Sequence, residues 1–169
     1  MTRVIIIGGN GSGKSTFAKQ LHSITGLPLV HLDRLLWYGD WQTRTREEFD
    51  SLLGAELERK AWIIDGNYNR TIPWRLSACD TVFYFDFSTL RCLWGVTWRV
   101  LTNLGRVRDD MGGHCRERFD LSFYKSILGF NKANRKRYYA LLAEAEKNGK
   151  TVVIFRNRRQ VKRYLNTLR

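Results

Sequence analysis

The chain has 169 residues, a formal net charge of +13, and 43% hydrophobic against 27% charged residues. That length supports one domain with a real core and leaves no comfortable room for two. No apolar run nears the length of a membrane span, and three cysteines without C-x-x-C spacing exclude a disulfide framework. The expectation is a cytoplasmic protein with neither signal peptide nor membrane anchor.

In chain order, Val4-Ile5-Ile6-Ile7 predicts a short buried strand, and Gly8–Ser15, G-G-N-G-S-G-K-S, fills the pattern G-x-x-x-x-G-K-[ST] at every fixed position. A strand before it and a helix-period segment after it are the setting that gives the pattern meaning. Glycines let successive backbone N–H groups curl around a phosphate, and the following helix adds its positive end. The expected nucleoside triphosphate site is therefore Gly8, Gly9, Asn10, Gly11, Ser12, Gly13, Lys14, Ser15 and Thr16. In it Lys14 reaches the β- and γ-phosphates, and the Ser15 hydroxyl completes a Mg²⁺ shell.

Phe17, Ala18, Leu21 and Ile24 share one face of a helix over Lys14–Thr25, which Gly26 and Pro28 terminate. Leu29–Leu32 predicts a second strand ending at Asp33, with an aromatic loop of Trp37, Tyr38, Gly39 and Trp41 after it. Thr45-x-x-Glu48 predicts a capping box that opens a helix with Phe49, Leu52, Leu53 and Leu57 at helical spacing. Trp62–Asp65, Thr81–Asp86 and Thr151–Phe155 predict three further strands, the first continuously apolar as a buried parallel strand requires. Helices are expected over about 89–104 and 120–147, the second stopped by Asn148-Gly149. A last helix carries Val161, Tyr164, Leu165 and Leu168 on one face. Gly105–Arg118 is too polar and glycine-rich for core and reads as a mobile flap.

Five strands alternating with helices predict an α/β fold of three layers, a five-stranded parallel sheet covered on both faces. It forms a single domain over residues 1–169 with an arginine-rich lid at about 99–118. Ligands of such sheets sit beyond the carboxyl ends of the strands, which singles out the glycine loop, Asp33, Asp65 to Arg70, and Asp86. Asp65 ends a strand expected beside the first, where a carboxylate holds a Mg²⁺-bound water opposite Ser15; a helix or turn cap is its other reading. Asp33 orients or deprotonates an acceptor hydroxyl, or caps whatever follows it. Arg99, with Arg106, Arg108, Arg116 and Arg118, brings guanidinium groups to a transferring phosphoryl group when the flap closes, or forms a solvated charged face. Trp41, with Trp37 and Tyr38, stacks on an acceptor ring or anchors local packing.

The charge is uneven. Residues 1–90 hold ten basic and ten acidic side chains, residues 91–137 eleven and four, and residues 150–169 seven and none. The basic half implies a polyanionic ligand or partner, nucleotide phosphates or nucleic acid. A nucleic-acid-associated ATPase is thus the alternative to a kinase, although the chain carries no recognisable DNA-binding module.

These motifs resemble the adenylate kinase-like branch of P-loop small-molecule kinases, and more closely the topology modulation (FlaR-type) proteins, over nearly the whole length. The matching pieces are the glycine loop, H-L-D-R-L-L-W-Y-G-D-W at His31–Trp41, W-I-I-D-G-N-Y at Trp62–Tyr68, and R-V-R-D-D-M-G-G-H-C-R-E-R at Arg106–Arg118. The resemblance implies strand order 2-3-1-4-5 and Mg²⁺-dependent transfer of the γ-phosphoryl group of ATP to a small acceptor, a nucleotide or nucleoside among the candidates. The topology modulation group implies an effect on DNA. Kinases of the adenylate kinase-like branch carry Asp-Gly-x-Pro-Arg after the third strand, with the Arg on the acceptor phosphate. Here the segment is D-G-N-Y-N-R, without proline and one residue longer, which makes Arg70 the candidate. Shikimate kinase-like proteins carry two aspartates after the second strand; here His31 takes one place and Asp33 remains.

Overall fold

A computed structural model describes residues 1–39, 41–107, 109–113 and 115–169. In chain order its elements are β1 (Arg3–Gly8), α1 (Lys14–Thr25), β2 (Leu29–His31), α2 (Leu32–Leu36), β3 (Trp37–Tyr38), β4 (Gln42–Thr43), α3 (Arg46–Leu57), β5 (Trp62–Asp65), α4 (Ile72–Ala78), β6 (Thr81–Phe85), α5 (Thr89–Asn103), α6 (Leu121–Lys147), β7 (Thr151–Phe155) and α7 (Arg158–Thr167). Five strands form one parallel sheet in the order β2-β5-β1-β6-β7. Counted along the sheet strands alone this is 2-3-1-4-5, the expected order.

Side chains alternate across each strand, and the two faces build separate cores. On β1, Ile5 and Ile7 join Ile64, Val82 and Tyr84 under α2, α3, α4 and the C-terminal half of α6. Val4 and Ile6 join Ile63, Phe83 and Phe85 under α1, α5 and α7. The long α6 serves both, giving Ile127 to the second core and Tyr138, Leu142 and Ala145 to the first. Strands buried on both faces read as the unbroken apolar runs that the sequence shows.

Helix ends follow local chemistry. Thr45 and Glu48 close the predicted capping box, the Glu48 N–H donating to Thr45 Oγ1 at 3.2 Å and the Thr45 N–H to Glu48 Oε2 at 2.8 Å. Asp120 caps α6 by accepting from the Ser122 and Phe123 N–H groups at 2.9 and 3.2 Å. Leu52 faces outward, whereas Phe49, Leu53 and Leu57 are buried.

Three short features differ from the expectation. The second strand ends at His31, and Leu32 begins the one-turn α2, whose first turn contains Asp33. Leu32 is fully buried beneath Gly66, so tertiary packing overrides the strand reading there. The aromatic loop is an antiparallel hairpin pairing Trp37 with Thr43 and Tyr38 with Gln42. Residues Ile72–Ala78 form α4, with proline in its first turn, where a missing N–H costs nothing.

Between α5 and α6 the described residues on the two sides of the connection come together. Val107 bridges Arg116, the Gly105 N–H donates to Glu117 O at 3.0 Å, and the Glu117 N–H to Arg106 O at 2.9 Å. The tip lies on the β3–β4 hairpin: a Cβ on Gly112 would overlap the Trp37 carbonyl, and one on Gly113 the Gly39 backbone. Cys115 adds Sγ contacts to Gly39 O and the Trp41 N–H at 3.3 and 3.4 Å. Arg108, expected to act from this segment, lies outside the described residues. Among the described residues no helix is long and apolar enough to cross a membrane.

Candidate active site

The loop after β1 feeds α1 through Gly13, whose φ of 95° only glycine adopts at low cost. No acidic side chain occupies the first turn of α1, so its positive end is uncompensated by the protein. The loop is clamped on both sides. Asn67 exchanges two hydrogen bonds with Gly8, accepting from its N–H at 2.9 Å and donating to its carbonyl at 2.8 Å. Opposite, α5 packs so closely that a Cβ on Gly95 would overlap the Gly11 carbonyl, and one on Gly11 the Cys92 carbonyl.

Lys14 is buried, and its ammonium donates to Gly9 O at 2.9 Å, beside the Ser12 hydroxyl on the same carbonyl at 2.7 Å. Burial lowers its pKa, and the Asp65 carboxylate opposes that shift. Asp65, at the end of β5, is buried too. Its Oδ2 accepts from His31 Nδ1 at 3.0 Å, while its Oδ1 is buried with no hydrogen-bond partner among the described residues. Asp65 and Ser15 line the same cavity, and a carboxylate and a hydroxyl oxygen are the kind of donors that a hard divalent cation takes. The Asp65 side chain holds His31.

Asp33 accepts from the Tyr68 hydroxyl at 2.6 Å. Burial, and then the charge of Asp33, push the phenol pKa up, so Tyr68 stays a donor. His31 occupies the N-cap position of α2 without a side-chain capping hydrogen bond, and Asp33 lies in the first turn. Arg99 donates from Nε and Nη2 to the buried Glu117 at 3.2 and 3.0 Å and lies over Phe123. Trp41 stands at 76° to Trp37, ring centroids 5.4 Å apart, with the Arg118 guanidinium 4.7 Å above its own ring.

One cavity of about 1090 Å³ takes in Asn10, Gly11 and Gly13 to Thr16 of the loop, His31 and Asp65, Asp33 and Tyr68, Trp37 and Trp41, and Arg99 and Arg118. Its volume exceeds that of a usual single-ligand pocket. Arg70 does not line it: the guanidinium pairs with Asp50 of α3 at 2.6 and 2.8 Å on the surface. Arg75, fully buried, holds the segment after β5 through Gly66 O, Asn67 O and Thr71 Oγ1.

Arg75 is the residue that the sequence did not single out, and Asn67 and Tyr68 lie in the segment Asp65 to Arg70 that it did single out, though without a role for either. One signal for Tyr68 is conformational. It and Trp41 are the described non-glycine residues with left-handed φ, 36° and 58°, and both line the cavity. Such strain persists where surrounding contacts enforce it, commonly at functional sites.

Neither a protein-family model nor a curated protein matches this chain. Among solved structures it is similar to shikimate kinase from Bacteroides thetaiotaomicron, at 15% sequence identity and a TM-score of 0.57, over 99% of this chain and 95% of that one. The chain has a P-loop kinase fold like that of shikimate kinase.

Proposed function

We propose that this chain is a Mg²⁺-dependent kinase that moves the γ-phosphoryl group of ATP to a hydroxyl of a small acceptor. One observation carries the reading: a single cavity joins the glycine loop, the half-partnered Asp65, and Asp33 with the aromatic hairpin. Phosphoryl transfer needs those parts together, because its catalysis is mostly positioning and charge neutralisation.

The loop N–H groups would grip phosphate oxygens, and Lys14 would exchange Gly9 O for the β- and γ-phosphates. Ser15 and Asp65 would hold Mg²⁺, which neutralises phosphate charge when bound. His31 would keep Asp65 turned so that Oδ1 serves that ion. The acceptor oxygen attacks the γ-phosphorus while the bond to the β–γ bridging oxygen breaks. Asp33, braced by Tyr68, would orient that hydroxyl and take its proton. Residues 99–118 would act as the lid, Arg99 and Arg108 meeting the transferring group and the tip excluding water. Trp41 would stack on an acceptor ring, and Arg70 would remain with Asp50. The motifs at His31–Trp41, Trp62–Tyr68 and Arg106–Arg118 support the adenylate kinase-like branch and the topology modulation group within it. A nucleoside or nucleotide suits the acceptor side, where aromatic rings, amides and Asp33 meet.

The test is an ATP-consumption screen against nucleosides, nucleotides, sugars and hydroxy acids, with duplex DNA as a separate arm. One acceptor class should raise ADP release, and Asp33→Asn should remove that stimulation. Stimulation by duplex DNA alone would overturn the reading.

A further inference from the structure

Among the described residues no element covers the outer face of α5. Leu90, Trp94, Trp98 and Leu101 recur at helical spacing along it and are 79, 65, 59 and 72% exposed. A helix inside a domain turns such a stripe toward a core; here the core side is taken by Cys92, Val96 and Val100. Alongside lies α6, whose Tyr124 OH donates to Thr97 Oγ1 at 3.2 Å and which carries exposed Leu121 and Leu128. Contiguous exposed apolar surface of this kind marks an interaction site.

The charge around the patch says what covers it. No acidic residue occurs in α5. Arg91 and Arg158 border the cleft beside Leu90 and Trp94, and Lys125 lies between Leu121 and Leu128 on α6. A second copy would bring the same basic rim against itself in a chain of net charge +13. An exposed stripe of Leu and Trp with Arg and Lys beside it matches a medium that is apolar within and anionic at its surface.

We propose that the outer face of α5 and α6 docks on an anionic lipid surface, with Trp94 and Leu90 entering the interface and Arg91, Lys125 and Arg158 reaching the headgroups. The helix would lie in the interface plane without spanning it. The face runs along the cavity rim, since Trp98 lines both.

The full chain is floated with vesicles of phosphatidylcholine alone or mixed equally with phosphatidylserine, at low and high salt. It should bind the mixed vesicles, release at high salt, and bind the neutral ones weakly. Leu90→Ser with Trp94→Ser, both outside the cavity wall, should reduce partitioning by about tenfold or more while leaving the circular dichroism spectrum unchanged. Failure to float with mixed vesicles, or equal flotation of the double variant, would overturn the proposal. So would a wild-type dimer in sedimentation velocity that the double variant dissociates, because a second copy would then cover the face.

Discussion

Asp65 uses its two carboxylate oxygens differently, one on His31 and one buried without a hydrogen-bond partner among the described residues. Asp65→Asn keeps the shape and replaces a charged donor by a neutral amide. Steady-state assays should show turnover falling by about 10²-fold with a much smaller change in ATP affinity; equal rates would make Asp65 structural. Asp80 illustrates a carboxylate that acts on stability. Burial raises its pKa, but hydrogen bonds from Thr2, Arg3 and Thr81 outweigh that and hold it at about 2. A depressed pKa in the folded state adds stability above the unfolded value, and that stability is lost as pH falls through the folded one. Urea midpoints of the wild type should therefore drop from neutral pH toward pH about 2, and Asp80→Asn should flatten part of that drop. The glycine loop was legible because its pattern is local and its physics is backbone geometry. The His31–Asp65 and Asn67–Gly8 pairs were not, since 34 and 59 residues of sequence separate partners that only the sheet order brings together.

The same division holds for whole elements. Long strands and helices announce themselves through period and caps, as the Thr45–Glu48 box and the apolar β1 do. The β3–β4 hairpin has two residues per strand, too few for alternation to register, and α2 exists because Leu32 finds a site under Gly66. Element contacts also decide how the loop is held. Gly95 lets α5 lie directly on the Gly11 backbone, a closeness that no spacing rule reveals. Gly95→Ala must push α5 from the loop, because the obstructing atom is a backbone carbonyl. Denaturant unfolding should show a loss of about 1–3 kcal/mol, and ATP should bind more weakly. Unchanged ATP affinity would mean that α5 does not shape the loop.

Across the whole molecule the cavity and the charge asymmetry describe one arrangement. The neutral first half supplies the glycine loop, Asp33 and Asp65, while the basic second half supplies Arg99, Arg118 and the 104–120 connection that rests on the hairpin. Sequence order separates these parts; the 2-3-1-4-5 sheet and α5 bring them to the carboxyl ends of β1, β2 and β5. The proposed kinase activity requires that the loop bind a nucleoside triphosphate through Lys14. Titration calorimetry of Mg²⁺-ATP into the wild type and Lys14→Ala measures that directly. The wild type should show one saturable site, and the variant at least about a tenfold loss of affinity. No binding by the wild type, or equal affinities, would contradict the proposal.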